Sequence, residues 1–175
     1  QGVSSAASDV YKRQNNNCFS YEKKIKDALK KHRLKYSLFF YGTLRAKEVR
    51  QAVIGEKKFN ILPAILQKHK VYKVKNANYP LIKFTNNESD KVQGILLMDL
   101  TIEEINKLDQ FEGEHYFRQF VKINKDDKIY DAQVYMPDKT LIAEKTWDFN
   151  YWYQNNMNDF FTNGFDLSGV KQIKN

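Results

Sequence analysis

One carboxyl group in an unusual sequence setting is the first candidate for chemistry. Glu112 follows the aromatic Phe111 and precedes Gly113, with Glu114 and His115 next to it. This pattern predicts a carboxyl on a turn beside apolar surface, where loss of water raises its pKa and suits it to proton transfer. The alternative interpretation is a solvated turn glutamate, which is the commonest fate of this residue type.

A glycine turn lies 70 residues before Glu112 and is the second candidate. Residues 39–45 read FFYGTLR, in which Gly42 allows a sharp turn after an apolar run. The peptide N–H groups that follow such a turn can form a concave site for an anion or a carboxylate. The same residues can also simply end a strand. A single domain easily brings this turn and Glu112 together.

Other catalytic and metal-binding patterns are missing from the sequence. His32, His69 and His115 are widely spaced, and neither an H-E-x-x-H pattern nor a cysteine pair occurs, so we expect no metal site. The sequence also lacks the glycine-rich nucleotide motifs and the G-x-S-x-G elbow, and we expect no cofactor. The single cysteine, Cys18, cannot form an internal disulfide, and an inert thiol is the expected state.

Composition favours a globular protein of ordinary size. The 175 residues are 42% hydrophobic and 14% aromatic, which is enough for one domain with a substantial core. The formal net charge is +8, but Lys and Arg are scattered among Asp and Glu, which favours solubility over nucleic-acid binding. No apolar run reaches the roughly 18 residues of a membrane helix, and no secretory signal is visible. We therefore expect a cytoplasmic protein without a membrane partner.

Apolar patterns predict an α+β domain built mainly from antiparallel strands, as a strongly bent sheet or a small barrel. Strands are predicted at Tyr36–Tyr41, Ile61–Val74, Tyr79–Thr85, Lys91–Leu100, Tyr116–Ile123 and Ile129–Met136. Pro63 favours a bent or edge strand for the second of these. Polar turns at 86–90 and 125–128 predict two hairpins.

Four helices are expected to flank these strands. They are Asn15–Lys35 on the surface, Ala46–Ile54 stopped by Gly55, a helix that starts with a capping box at 101–104 and ends near Asp109, and an aromatic helix at Thr146–Phe161. Residues 1–14 resemble adaptor read-through, and we expect them to be a non-native leader. The remaining boundaries are a helical extension at 15–35, the main domain at 36–140, and an aromatic tail at 141–175 that packs on it.

An ordered set of short motifs resembles the γ-glutamylcyclotransferase-like family, and within it the AIG2-like branch that includes γ-glutamylamine cyclotransferases. The motifs run from about Leu38 to Met136 and comprise YGTLR at 41–45, Tyr79-Pro80-Leu81, Gly94, Leu108-Asp109 with Phe111-Glu112-Gly113, and Tyr116-Phe117-Arg118. Each motif is weak, whereas the ordered set is specific. The resemblance implies a small barrel flanked by helices, in agreement with the predicted strands.

The resemblance also implies an activity and a site. In this family the YGTL loop holds a γ-glutamyl group, and the glutamate of the LDxxEG segment acts as general acid and base, which corresponds to Glu112. The residues expected to bind substrate are Tyr41, Gly42, Thr43, Leu44, Arg45, Tyr79 and Tyr116. The implied reaction is an intramolecular cyclisation that releases 5-oxoproline and a free amine or amino acid. A non-catalytic small-ligand or RNA-binding module on the same fold is the alternative.

Overall fold

The structure is a computed structural model in which residues 34–165 are described. The predicted leader at 1–14, nearly all of the predicted helix at 15–35, and the end of the aromatic tail lie outside the described residues. No helix within residues 34–165 is long and apolar enough to cross a membrane.

Eight strands form a closed barrel and a smaller sheet. They are β1 (Tyr36–Phe40), β2 (Asn60–Gln67), β3 (His69–Val74), β4 (Pro80–Phe84), β5 (Lys91–Leu100), β6 (Tyr116–Lys125), β7 (Lys128–Pro137) and β8 (Ala143–Thr146). The barrel order is β1-β5-β2-β6-β7, closed by a parallel pairing of Leu38 on β1 with Gln133 on β7. The other barrel pairs are antiparallel. The second sheet has the order β4-β3-β8.

Three longer helices accompany the strands: α1 (Lys47–Ile54), α2 (Ile102–Glu112) and α3 (Phe149–Asn155). A single 3₁₀ turn at Thr43–Arg45 links β1 to α1, and α3 is followed by a short turn at Met157–Asp159 and a π turn at Phe160–Gly164. The predicted capping box begins α2, since the Glu104 N–H donates to Thr101 Oγ1 and the Thr101 N–H donates to Glu104 Oε2.

Strand β1 is buried on both faces, which explains its uninterrupted apolar sequence. Leu38 and Phe40 pack towards α1, α2 and the C-terminal aromatic residues. Phe39 points into the barrel, where it meets side chains from the other four barrel strands. Gly94 on β5 makes room for it, because a Cβ at Gly94 would lie 2.4 Å from Phe39 Cζ.

The sequence-based expectation of one bent or edge strand at Ile61–Val74 is wrong. Lys68, with a φ of 59°, divides this segment into β2 and β3, which belong to different sheets. β2 is not an edge strand, because it lies between β5 and β6. Pro63 is tolerated there because β2 pairs with β6 at Ile65 and not at Pro63, so the missing N–H interrupts no ladder on that side.

The expected hairpin around residues 86–90 is also wrong. Both strands exist, but β4 pairs with β3 while β5 pairs with β1 and β2. The hairpin around residues 125–128 is confirmed as β6 and β7. α2 extends one turn beyond Asp109 to Glu112, and the expected helix at Thr146–Phe161 is interrupted at Asn156. The α+β class with a small barrel is confirmed.

Candidate active site

A pocket opens where the end of β1, the start of β4 and the end of α2 meet. It is a narrow cleft with a cavity volume of about 30 Å³. Its wall consists of Phe39, Phe40, Tyr41, Gly42, Thr43, Leu44, Tyr79, Pro80, Phe111, Glu112, Tyr116 and Tyr135. The two candidates from the sequence, the glycine turn and Glu112, therefore line the same pocket.

Glu112 is the last residue of α2, and Gly113, with a φ of 71°, ends the helix directly after it. Its side chain is half-buried, and loss of solvent raises its pKa to about 8, with the negative charge of Asp109 acting in the same direction. A helix C-terminus also disfavours a carboxylate. Among residues 34–165, Glu112 has neither an ion pair nor a side-chain hydrogen bond. Its carboxyl is thus able to exchange a proton near neutral pH.

A polar network holds Asp109, which lies one helical turn before Glu112. The Arg118 Nε donates to Asp109 Oδ1 at 2.8 Å, and the Arg118 Nη2 donates to Oδ2 at 3.1 Å. The Tyr135 hydroxyl also donates to Asp109 Oδ1, at 2.8 Å. Residue-level reasoning gave Asp109 and Arg118 no role, although the i,i+3 spacing of the two acids on one helix was a readable signal.

The pocket tyrosines differ in what their hydroxyl groups do. Tyr41 donates to the Tyr135 carbonyl at 3.0 Å, and Tyr116 donates to the Pro80 carbonyl at 2.9 Å. These two hydroxyls hold the pocket wall together. Tyr79 has no hydrogen-bond partner for its hydroxyl within the described chain, and burial raises its pKa. Tyr79 is therefore the pocket tyrosine whose donor is available to a ligand.

The glycine turn comes very close to β4. A Cβ on Gly42 would lie 2.7 Å from Pro80 Cγ, so the requirement for glycine arises from close approach and not from an unusual φ, which is −109°. Thr43 and Leu44 begin the 3₁₀ turn, where the first N–H groups have no acceptor inside the helix. Neither group has a hydrogen-bond acceptor elsewhere in residues 34–165. The turn thus presents two backbone donors beside the pocket.

Arg50 on α1 fixes this turn from behind. Its Nη1 donates to the carbonyls of Leu44 at 2.8 Å and of Arg45 at 2.6 Å, and the residue is only 7% exposed. The sequence analysis missed this role. A signal was present, because Arg50 shares the helical face of Val49 and Val53, where an apolar residue is expected.

Arg45, which the sequence analysis expected to bind substrate, does not line the pocket that contains Glu112. Its guanidinium carbon is 4.1 Å from the centre of the Phe149 ring, and the side chain lines a second pocket that shares only Tyr41 with the first. His115 and Glu114 also lie outside the first pocket; His115 Nδ1 is 3.1 Å from Asp138 Oδ2. The described residues contain no group of three or more His, Cys, Asp or Glu side chains placed to hold a metal ion.

Comparison with known families gives one match over the barrel and its helices. The family model described as "Gamma-glutamyl cyclotransferase, AIG2-like" matches residues 38–149, which is more than half of the chain. The matched range includes the glycine turn, Asp109, Glu112 and Arg118.

Individual relatives agree with this match. AIG2-like protein C of Arabidopsis thaliana is 32% identical over 133 residues, which cover 73% of this chain and 74% of the relative. A solution structure of an Arabidopsis thaliana protein superposes with a TM-score of 0.56 at 25% identity, covering 73% of this chain and 78% of the other. A solved γ-glutamyl cyclotransferase gives a TM-score of 0.55 at 19% identity, covering 63% and 70%, and this similarity concerns the fold alone.

Proposed function

Because the chain belongs to the AIG2-like γ-glutamyl cyclotransferase family, we propose that it cyclises a γ-glutamyl compound to 5-oxoproline, with Glu112 as general acid and base. The leaving group is a free amine or an amino acid. The observation that carries the proposal is the position of Glu112, a carboxyl with a pKa of about 8, in one pocket with the N–H groups of Thr43 and Leu44.

The substrate supplies its own nucleophile. The α-amino nitrogen of a γ-glutamyl group reaches the γ-carbonyl carbon and closes a five-membered ring, while the bond from that carbon to the leaving nitrogen breaks. No nucleophilic side chain is needed, which fits a pocket whose described lining contains neither cysteine nor serine. Holding the substrate in the folded conformation supplies the orientation that this reaction requires.

The raised pKa of Glu112 matches the proton transfer. An α-amino group has a pKa of about 8. Transfer from this ammonium to a glutamate with an ordinary pKa would cost about 4 to 5 kcal/mol, at about 1.4 kcal/mol per pKa unit. Transfer to a carboxyl whose pKa is also about 8 is close to thermoneutral. Glu112 then returns the proton to the departing nitrogen as the carbon–nitrogen bond breaks.

Two kinds of donor are available for the substrate oxygens. The N–H groups of Thr43 and Leu44 can bind either the developing oxyanion or the α-carboxylate, since both are anionic oxygens beside a backbone turn. The Tyr79 hydroxyl is a further donor. Tyr41 and Tyr116 shape the pocket, because their hydroxyl protons already bind backbone carbonyls.

The test is release of 5-oxoproline from a panel of γ-glutamyl amino acids and γ-glutamyl amines by the purified protein. We expect turnover of at least one compound and a loss of about 100-fold or more in Glu112→Gln, the scale of a general acid–base contribution. Glu114→Gln is the matched control, because the Glu114 side chain is 90% exposed and lies outside the pocket. Unchanged turnover in Glu112→Gln would remove Glu112 from the mechanism.

A further inference from the structure

A second pocket with a cavity volume of about 410 Å³ lies on the other side of the 41–45 loop. It lies between β3, the start of β5 and the residues that follow β8. Its lining includes three cations and three aromatic rings, namely Arg45, Lys70, Lys91, Tyr72, Trp147 and Phe149. The proposed cyclisation uses none of these side chains. The size is suitable for a small organic ligand.

Arg45 is the main feature of this pocket. Its guanidinium lies over the Phe149 ring, with the guanidinium carbon 4.1 Å from the ring centre, so the ring covers one side of the cation. The side chain is half-buried, and within residues 34–165 it has no hydrogen bond and no ion pair. Asp148, the acid in the pocket wall, accepts a hydrogen bond from the Tyr151 N–H at 2.7 Å as the cap of α3. Within the described residues, Arg45 therefore presents guanidinium donors that have no hydrogen-bond acceptor.

The charge balance of the lining is positive. Lys70 is 3.1 Å from Asp90, whereas Lys91 has no ion pair in the described part of the chain. Asp90 offsets Lys70 and Asp148 acts on Arg45, so among the described lining residues one cationic side chain, Lys91, is left without a compensating acid. An anionic group fits it better than a neutral or cationic one.

The aromatic residues adjoin these cations. Tyr72 pairs across the sheet with Thr146, and the N–H of the next residue, Trp147, donates to the Val71 carbonyl at 3.2 Å. Both rings are half-buried and line the pocket, so each keeps an accessible surface. Exposed aromatic surfaces bind a flat ring better than a flexible chain, because stacking a rigid ring restricts few rotatable bonds of the ligand.

We propose that this second pocket binds a small organic anion that carries a planar ring, with Arg45 on the anionic group and Tyr72 and Trp147 on the ring. Nucleoside monophosphates and aryl carboxylates belong to this class. The site is separate from the Glu112 pocket and does not depend on cyclisation.

Adenosine monophosphate is the first probe, titrated into the full chain at physiological ionic strength by calorimetry and by Trp fluorescence. We expect saturable binding with quenching of Trp emission, because Trp147 contacts the ring. Inorganic phosphate and adenosine should each bind about tenfold or more weakly than the complete probe, since each lacks one of the two recognised groups. Benzoate, compared with adenosine monophosphate, shows whether a carboxylate can replace the phosphate, and acetate is the control that lacks the ring.

Arg45→Met retains an unbranched apolar stem and removes the charge. We expect it to weaken binding of adenosine monophosphate by about tenfold or more, and Lys91→Met to weaken it by a smaller factor. Lys47→Met is the matched control, because it removes one exposed charge outside the pocket and should leave binding unchanged. Glu112→Gln should also bind normally, which separates this site from the proposed catalysis.

Three results would overturn the proposal. They are no saturable binding of adenosine monophosphate or benzoate at millimolar concentration, equal weakening by Arg45→Met and Lys47→Met, and phosphate binding as tight as that of the complete probe. Phosphate binding as tight as that of the complete probe would show that the ring contributes nothing to binding. Circular dichroism of each variant verifies that it is folded.

Discussion

At the scale of single residues, the Glu112 carboxyl is placed where its charged form is disfavoured. The side chain is partly removed from water, Asp109 is one turn away, and the helix C-terminus adds a partial negative charge. Each of these raises the free energy of the carboxylate relative to the acid. The same environment that fits the residue for proton transfer therefore costs the folded protein stability at high pH.

The pH profile of kcat/KM follows from this placement. In the proposed mechanism the productive pair is an ionised Glu112 with an ammonium substrate, so kcat/KM should rise about tenfold per pH unit up to about pH 7 and level off near pH 8. It should fall again as the free substrate amine loses its proton. Asp109→Asn removes a negative charge beside Glu112, lowers the pKa of Glu112, and should move the acid limb to lower pH.

Steady-state rates across pH 5 to 10 measure both profiles. Asp131→Asn is the control for Asp109→Asn, since the Asp131 side chain is 76% exposed and remote from the pocket lining. If kcat/KM of the parent protein instead rose with the pKa of an ordinary glutamate, near 4.5, the raised pKa of Glu112 would be contradicted.

Glu112→Gln should stabilise the protein in a pH-dependent manner. The folded-state pKa of about 8 lies above the unfolded value of 4.5, so ionisation of Glu112 favours unfolding as pH rises from 4.5 to 8. The variant lacks this penalty. We expect little difference from the parent protein at pH 4 and a gain of about 2 to 4 kcal/mol at pH 8.5, allowing for partial exposure. Urea unfolding at the two pH values measures the difference, and equal gains at both would contradict the assignment.

The residues themselves were partly readable from the sequence. Glu112 and the Gly42 turn were identified by their neighbours and by their order along the chain, and the structure brings them into one pocket. The distinct roles of the tyrosines were not readable, because a hydroxyl partner such as the Pro80 carbonyl depends on tertiary packing. The sequence also could not show which pocket the Arg45 side chain faces, because its aromatic partner Phe149 is about a hundred residues away along the chain.

At the scale of elements, α1 acts as the support of the pocket turn. Arg50 satisfies two carbonyls of the 44–45 segment, and its burial means that water cannot replace it. We expect Arg50→Met to lower the free energy of unfolding by about 2 to 4 kcal/mol, because one buried and one partly buried carbonyl lose their donor. The loss of loop order should also reduce kcat/KM by about tenfold or more.

Urea unfolding and amide exchange of residues 42–46 measure these two effects of Arg50→Met. Lys47→Met is a control on the exposed side of the same helix. Faster exchange confined to the loop would support positioning by Arg50, whereas unchanged exchange would contradict it.

Elements with local signals were predicted well. The Thr101–Glu104 capping box set the start of α2, and alternating residues gave β6 and β7 with their turn. Pairing between distant strands was not predictable from local patterns, which is why β4 and β5 were wrongly joined as a hairpin. The left-handed Lys68, which separates β2 from β3, also has no sequence signal as strong as a glycine.

At the scale of the whole molecule, the C-terminal aromatic residues belong to the core. Trp152 and Phe160 are each 2% exposed, and the Phe160 and Phe165 rings pack on Phe111, beside Glu112. The family match ends at residue 149, before these residues. A chain that ends at residue 148 should therefore be largely unfolded, since each lost large side chain costs about 3 to 5 kcal/mol.

Circular dichroism and urea unfolding of the shortened chain measure this outcome. As single-residue versions, Phe160→Ala should lower stability by about 3 to 5 kcal/mol. Tyr151→Ala, at a side chain that is 65% exposed, should have little effect. A shortened chain with a cooperative transition like that of the full chain would contradict a core role for this segment.

The α+β class was accessible from the sequence because strand and helix patterns are local and the motif order is specific. A small barrel was also expected, but the pairing that closes it was not, because the parallel contact between β1 and β7 is not linked to a turn or a hairpin in the sequence. The described part of the predicted tail, residues 141–165, contributes β8 and two fully buried aromatic side chains. The sequence predicted an aromatic helix and a tail packed on the domain, but it did not predict the strand.

The parallel contact between β1 and β7 also has a consequence for folding during synthesis. The Tyr41–Tyr135 hydrogen bond joins residues 94 positions apart, so one edge of β1 waits for its partner for about 5 to 20 s at ordinary translation rates. During that interval an apolar strand, YSLFF, has an open edge that can pair with another chain. The strand that leads into the pocket turn is therefore open to pairing with other chains until the barrel closes.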